Sequence, residues 1–286
     1  MFLDFLEAHQ PYRPPRGYID KFLPDDVTIN EMNAAVDANH VGRTITGKGF
    51  DERERQILQG LYDGTISYLD DQIKSFYRFL EAEGELENTV FIVLADHGDL
   101  FGEWNLWGHQ GRIHNRLCHV PLLIRYPWGD GHREDGVTEL RQLFDHLTRL
   151  GKGVDPDQDP YMKPQGEALT EYYGLDTQVS ITPWEEYSDA TRSEWGSYQA
   201  SLVRDNWRLL EDVSTGPALY DVVADPSEER NVVENNEDVR TEMRERIVSL
   251  VGHPEENHKR YRGAEGDESF GLDQKTVEHL EELGYM

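Results

Sequence analysis

The feature that most constrains this 286-residue sequence is an apolar run that ends abruptly in polar residues. Residues 90–95 are all apolar and rich in branched side chains, and Asp96-His97-Gly98-Asp99 follows directly. A short run without polar alternation predicts a strand that is buried on both faces, as in a parallel sheet. A long helical pattern precedes the run, so we expect an α/β unit here.

Asp96 and His97 would lie at the carboxyl end of this strand, where open α/β sheets place their ligands. Aspartate supplies a hard anionic oxygen and histidine a neutral nitrogen, so the pair can hold a divalent cation. Gly98 would let the backbone turn away sharply. The alternative is a polar turn that caps the strand and binds nothing.

Apolar spacing predicts the other elements. Residues 51–83 and 138–150 repeat apolar side chains every three or four positions, which indicates helices. Short alternating runs at 197–203, 206–211 and 218–223 indicate strands, and a helix near 238–251 follows. We further expect a buried strand within residues 1–12, a short helix near 24–38, a loop over 151–168 and a final helix over 273–283.

The charge balance excludes some partners. Acids outnumber bases 56 to 28, which gives a formal net charge of −28, and the acids are spread along the chain. This excess argues against nucleic acid and against anionic membranes. We interpret it as adaptation to high salt, as in a halophilic archaeon, because salt screens self-repulsion. An ordinary acidic protein is the alternative.

The single cysteine, Cys118, excludes an internal disulfide. No apolar run approaches the ~18 residues of a membrane span, and no charged segment precedes an apolar one at the N-terminus. We therefore expect no membrane partner and a cytoplasmic location.

A longer series of residues resembles the sulfatase family of the alkaline phosphatase superfamily. Residues 96–103 read D-H-G-D-L-F-G-E, and V-P-L-L-I-R-Y-P follows at 120–127. The family carries D-H-G-D/E-x-x-G-E, then a loop with a basic residue, then V-P-L-I-x-x-P. Residues 2–12 resemble its F-x-x-F-x-x-P-H-x-P-Y segment, and residues 218–232 resemble its E-L-Y-D-L-x-x-D-P-x-E-x-x-N-L segment.

The resemblance implies part of an alkaline-phosphatase-like mixed sheet flanked by helices, plus a small C-terminal antiparallel sheet with a helix. We expect residues 1–168 to form the C-terminal part of the catalytic domain, and residues 169–286 a smaller subdomain with antiparallel strands and terminal helices. The family's nucleophile motif C/S-x-P-S-R and its first pair of metal-binding aspartates do not occur in this sequence. The chain thus resembles a truncated gene product, a product with a misplaced start, or half of a split protein whose N-terminal half is encoded separately.

The resemblance also implies roles for particular residues. Asp96 and His97 match the family's second pair of metal ligands. His109 stands where many sulfatases have a sulfate-binding lysine, and His9 matches the histidine that faces the leaving group. A loop histidine without a role is the alternative for both His9 and His109.

The implied cofactor is a divalent metal ion, calcium first and manganese second, although the imidazole of His97 favours manganese, zinc or iron. The family's formylglycine nucleophile, made from Cys or Ser, is absent from this chain.

The implied function is metal-dependent hydrolysis of a small sulfate ester. Two alternatives remain: a phosphoester or phosphonate hydrolase of the same superfamily, and a non-catalytic remnant or subunit. Because no residue stands in a nucleophile motif, we expect little or no turnover from the chain alone.

Overall fold

The computed structural model describes residues 1–129, 131, 133–153, 162–175 and 186–263. Its α-helices are α1 (Arg16–Ile19), α2 (Ile29–Val36), α3 (His40–Ile45), α4 (Glu52–Ala82), α5 (Asn115–Cys118), α6 (Gln142–Gly151), α7 (Asp189–Trp195), α8 (Glu237–Val251) and α9 (Pro254–Gly263). Its strands are β1 (Phe91–Leu94), β2 (Leu100–Phe101), β3 (Trp107–Gly108), β4 (Leu122–Arg125), β5 (Glu167–Tyr172), β6 (Gln199–Arg204), β7 (Trp207–Asp212) and β8 (Gly216–Asp221). The mixed α/β organisation is as predicted, while the predicted helix over 273–283 lies outside the described residues.

Strand β1 differs from the prediction for the apolar run. It pairs antiparallel with β4, with Phe91 opposite Arg125 and Leu94 opposite Leu122. Leu94 is 40% exposed and Leu123 on β4 is 61% exposed. The prediction of a parallel strand buried on both faces is therefore wrong. An apolar run shows which side chains could be buried, but burial also requires neighbouring elements. Within the described ranges, β1 has a single neighbouring strand.

The predicted buried strand at the N-terminus is also wrong. Residues 1–6 have no regular secondary structure, and Met1 and Phe2 are 97% and 87% exposed. In the described part of the chain no strand pairs with this segment, so no neighbouring strand buries its apolar side chains. Tyr12, at the end of the same stretch, is buried.

Helix α4 is the longest described element, and its bounds match the predicted 51–83. Asp51 caps the amino end, because its side chain accepts from the Glu54 N–H while the Glu54 carboxylate accepts from the Asp51 N–H. This reciprocal pair satisfies two backbone donors that the first turn leaves free. At the other end, Gly84 adopts a left-handed conformation with φ of 74° and stops the helix.

Two glycines inside α4 allow the preceding segment to lie against the helix. A Cβ at Gly60 would stand 2.8 Å from the Phe22 carbonyl oxygen, and one at Gly64 would stand 3.0 Å from Pro14 Cγ. Both positions therefore have a packing role. On the same side, Tyr12, Phe50, Ile57, Leu58, Leu61 and Trp107 form a buried core.

Strands β5, β6, β7 and β8 form an antiparallel sheet in sequence order. Met243 and Ile247 of α8 pack on this sheet against Leu202, Leu209 and Leu219. This confirms the predicted small C-terminal sheet with its helix. The predicted loop over 151–168 extends into the first two residues of β5, whereas the whole strand pairs with β6. The division at residue 168 stays a prediction and falls within this strand.

Among the described helices, none combines the length and the apolar character needed to cross a membrane. The predicted cytoplasmic location stays a prediction.

Candidate functional site

The turn after β1 brings two segments into close contact. The Asp96 carboxylate accepts from the His97 N–H at 2.9 Å, and the Gly98 N–H donates to the Leu117 carbonyl at 2.9 Å. A Cβ at Gly98 would stand 2.1 Å from the Arg116 carbonyl oxygen. Glycine is therefore required here, because any side chain would push α5 away from the turn.

Three imidazoles, called here the histidine cluster, meet beside this turn: His9, His97 and His109. The His97 and His109 rings are stacked with centroids 4.2 Å apart, and the His9 ring lies 5.0 Å from His109 and 6.4 Å from His97. His9 comes from the loop before α1, His97 follows β1, and His109 follows β3. The structure thus places these three predicted residues together, while their roles stay predictions.

Asp99 holds the histidine cluster through a hydrogen bond to His109. One carboxylate oxygen accepts from His109 Nδ1 at 3.0 Å, and the other accepts from the Tyr12 hydroxyl at 2.5 Å. The Asp99 side chain is only 4% exposed. Burial, and then the charge of Asp99, raise the pKa of Tyr12 far above its ordinary value. The phenol therefore stays protonated and remains a donor to Asp99.

Hydrogen bonds fix which ring nitrogens remain available. The Asp99 carboxylate can only accept, so His109 carries its proton on Nδ1, and its Nε2 accepts from the Gln110 amide at 2.9 Å. His97 Nδ1 lies 2.9 Å from the Gly98 carbonyl oxygen and must donate to it. In neutral His97 this leaves the Nε2 lone pair free, 3.8 Å from Asp96 Oδ2.

His97, Asp99 and His109 offer ligand atoms that all lie within 4.8 Å of one another. Two imidazole nitrogens and one carboxylate oxygen are a donor set for borderline metals. Asp96, the predicted partner of His97, stands beside this group but outside it, with its side chain 74% exposed. Asp99 stands in the motif D-H-G-D, but no role was predicted for it.

The segment that carries His109 is held by the C-terminal sheet. Arg208 of β7 donates to both carboxylate oxygens of Glu228, and both side chains are buried. One Glu228 oxygen also accepts from the Asn115 N–H at 2.9 Å, and the Glu228 carbonyl accepts from the Trp104 indole at 3.0 Å. The residues on either side of His109 are thus tied to one buried ion pair.

His114 is buried within this network. Its Nδ1 accepts from the Arg116 N–H at 3.0 Å, and its Nε2 lies 3.7 Å from a Glu228 carboxylate oxygen. Burial lowers the pKa of His114, and the charge of Glu228 opposes that shift. The imidazole is therefore held in its neutral form.

Comparison with known proteins finds similar sequences and similar folds. The sequence model of the family described as Sulfatase matches residues 1–154. The arylsulfatase of Clostridium perfringens is 26% identical over 251 residues, covering 82% of this chain and 49% of the relative. The uncharacterized sulfatase YidJ of Escherichia coli is 24% identical over 268 residues, covering 88% of this chain and 50% of the relative. The chain spans about half the length of the curated relatives it matches.

Among solved structures, the phosphonate monoester hydrolase of Agrobacterium radiobacter superposes with a TM-score of 0.65. The match covers 86% of this chain and 55% of that protein, at 21% sequence identity. This likeness concerns the fold alone, and it confirms the predicted alkaline-phosphatase-like architecture.

Proposed function

Because the chain belongs to the sulfatase family, we propose that it supplies part of the active site of a metal-dependent hydrolase of sulfate esters. The observation that carries the proposal is the convergence of His9, His97 and His109 beside Asp99. All four residues lie within the part of the chain that the family model matches. A site that binds a tetrahedral anion requires several polar side chains to converge on one position.

The donors of this chain fit a divalent metal ion. The Nε2 atom of His97 is free to bind, and Asp96 is exposed beside it. Asp99 and His109 lie within reach, and their binding to the ion would replace the hydrogen bond between them. Imidazole donors make manganese, zinc or iron better suited than calcium, which prefers oxygen ligands. When bound, such an ion would act as a Lewis acid on the oxygens of the transferred group.

The histidines would accept and donate protons during the reaction. Asp99 keeps the proton of neutral His109 on Nδ1, so Nε2 is the atom that can gain and release one. His9 Nδ1 lies 2.6 Å from the Gln10 carbonyl oxygen and donates to it, so Nε2 carries the lone pair in neutral His9. Once Nε2 has bound a proton, it would donate that proton to the leaving oxygen and return to the neutral form. A protonated imidazole at position 109 would serve in place of the family's lysine, with activity that depends on pH.

The nucleophile and the remaining metal ligands would come from residues outside this sequence. No segment of it reads C/S-x-P-S-R, so we propose that an N-terminal half completes the site, whether or not it is encoded separately. The substrate would be a small sulfated molecule.

The test combines metal binding with turnover. We expect manganese to bind to the purified chain, binding to be lost in His97→Ala, and binding to be kept in His119→Ala, which alters an exposed histidine outside the cluster. With 4-nitrophenyl sulfate we expect little or no turnover by the chain alone, and turnover after a sulfatase N-terminal half is added.

Three outcomes would contradict the proposal. Manganese affinity that is unchanged in His97→Ala would overturn the metal assignment. Robust turnover by the chain alone that disappears in Asp96→Ala would show that the site is already complete. Turnover of 4-nitrophenyl phosphate in preference to the sulfate would favour the phosphoester alternative.

A further inference from the structure

A cleft of about 430 Å³ opens beside the histidine cluster, between the loop that carries His9 and helix α4. Its apolar lining comes from Leu6, Pro11, Pro14, Pro15 and Tyr68, and His9 also lines it. This volume lies in the range of small-molecule sites, which are concave and mostly apolar. The cleft therefore has the size and the lining of a ligand subsite that adjoins His9.

Three of the polar groups on the cleft wall, those of Gln10, Arg13 and Thr65, are already engaged within the protein. The Gln10 amide donates to the Tyr12 hydroxyl at 3.3 Å, and Arg13 donates to Asp37 at 2.6 Å. The Thr65 hydroxyl donates at 2.6 Å to a main-chain carbonyl of its own helix. A sugar would need several hydrogen-bond partners for its hydroxyls, and these groups would have to give up existing bonds to supply them.

The charges around the cleft also favour an uncharged ligand group. Glu7 adds a carboxylate to the lining, and the one lining cation, Arg13, is paired with Asp37. The chain as a whole carries a net charge of −28, which repels a polyanion. An uncharged ligand group avoids this repulsion.

We propose that this cleft receives the alcohol part of the sulfate ester and selects an uncharged, apolar, ring-bearing group over a sugar. The inference rests on the proposed function, because His9 would face the oxygen that joins this group to the sulfate. Tyr68 offers an aromatic ring and the prolines offer flat apolar faces, against which a planar ring packs well.

The test uses two uncharged probes on the full chain, 2-naphthol and N-acetylglucosamine, with binding measured by saturation-transfer NMR and titration. We expect 2-naphthol to bind and N-acetylglucosamine not to bind. Tyr68→Ala should weaken 2-naphthol binding roughly three- to tenfold, the value of one aromatic contact. Tyr68→Phe should keep the affinity, because the ring supplies the contact.

Phe79→Ala is the matched control, because Phe79 lies on the same helix and is 57% exposed outside the cleft. Thermal melts would show that each variant is folded. Equal 2-naphthol affinity in the wild-type chain and Tyr68→Ala, or N-acetylglucosamine binding as tight as that of 2-naphthol, would overturn the inference.

One further variant separates this inference from the proposed function. His97→Ala should abolish manganese binding and leave 2-naphthol binding intact. If the wild-type chain binds 2-naphthol through Tyr68 but does not bind manganese, the cleft is supported and the proposed metal site fails. If it binds manganese through His97 but not 2-naphthol, the cleft assignment alone fails.

Discussion

At the scale of single residues, the burial of His114 makes stability depend on pH. Burial lowers the pKa of His114 in the folded chain, whereas an unfolded histidine titrates near ~6.5. Below that pH the unfolded chain gains a proton that the folded chain does not take up. Neutral His114 thus contributes stability above pH ~6.5, and this contribution is lost as the pH falls toward the folded-state pKa.

We therefore expect the unfolding free energy of the wild-type chain to fall more steeply between pH 7.5 and 5.5 than that of His114→Gln. The difference in slope should approach, but not exceed, about 1.4 kcal/mol per pH unit, the value for one proton. Urea unfolding at three pH values measures it. His119→Gln, at an exposed histidine, should keep the wild-type slope. Equal slopes for His114→Gln and the wild-type chain would refute the argument.

The sequence could identify the histidines of the site but not the whole arrangement. His97 and His109 stand at recognisable positions of a family pattern, so they could be proposed without a structure. Asp99 stands in the same motif, but its role was not predicted because its contacts depend on the turn at Gly98 and on Tyr12, which lies 87 residues earlier in the chain. Hydrogen bonds of that span leave no local pattern.

At the scale of elements, helix α4 shows what periodicity predicts and what it misses. Its ends were predictable because Asp51 and Glu54 cap the amino end and Gly84 stops the carboxyl end. The environment of β1 was not, because burial depends on strands that lie elsewhere in the chain. From sequence alone Gly60 weakens α4 by roughly 1 kcal/mol relative to alanine. The structure shows that the same glycine admits the backbone of Phe22.

Gly60→Ala should therefore destabilise the protein although alanine is the better helix former. The new Cβ would stand 2.8 Å from the Phe22 carbonyl oxygen, and we expect a net loss of about 1–3 kcal/mol, as in overpacked cores. Asp70→Ala, at an exposed position of α4, should change stability by less than about 0.5 kcal/mol. Urea unfolding compares the two, and a stabilised Gly60→Ala variant would show that the contact is not tight.

At the scale of the whole molecule, the dominant property is the net charge of −28. Like charges spread over one surface repel one another, and added salt screens this repulsion. Adaptation to high salt therefore predicts that the protein is more stable at high than at low salt concentration.

We expect the melting temperature to rise by at least about 4 °C between 0.1 and 3 M potassium chloride, which corresponds to about 1 kcal/mol or more. A variant with exposed acids of α4 changed to amides, such as Asp70→Asn with Glu81→Gln, should depend less on salt. Thermal melts across the salt series measure both. A melting temperature that is flat or falls with salt would contradict the expectation.

The buried pair of Arg208 and Glu228 also sets the order in which the site can be completed during synthesis. Glu228 lies 113 residues after Asn115 and 124 after Trp104, the two residues it holds. At ~5–20 residues per second, a ribosome needs on the order of 10 s to cover that distance. All three histidines of the cluster thus leave the ribosome well before the residue that fixes the segment around His109. In the nascent chain, the segment around His109 therefore lacks its contacts with Glu228 until the small sheet has been synthesised.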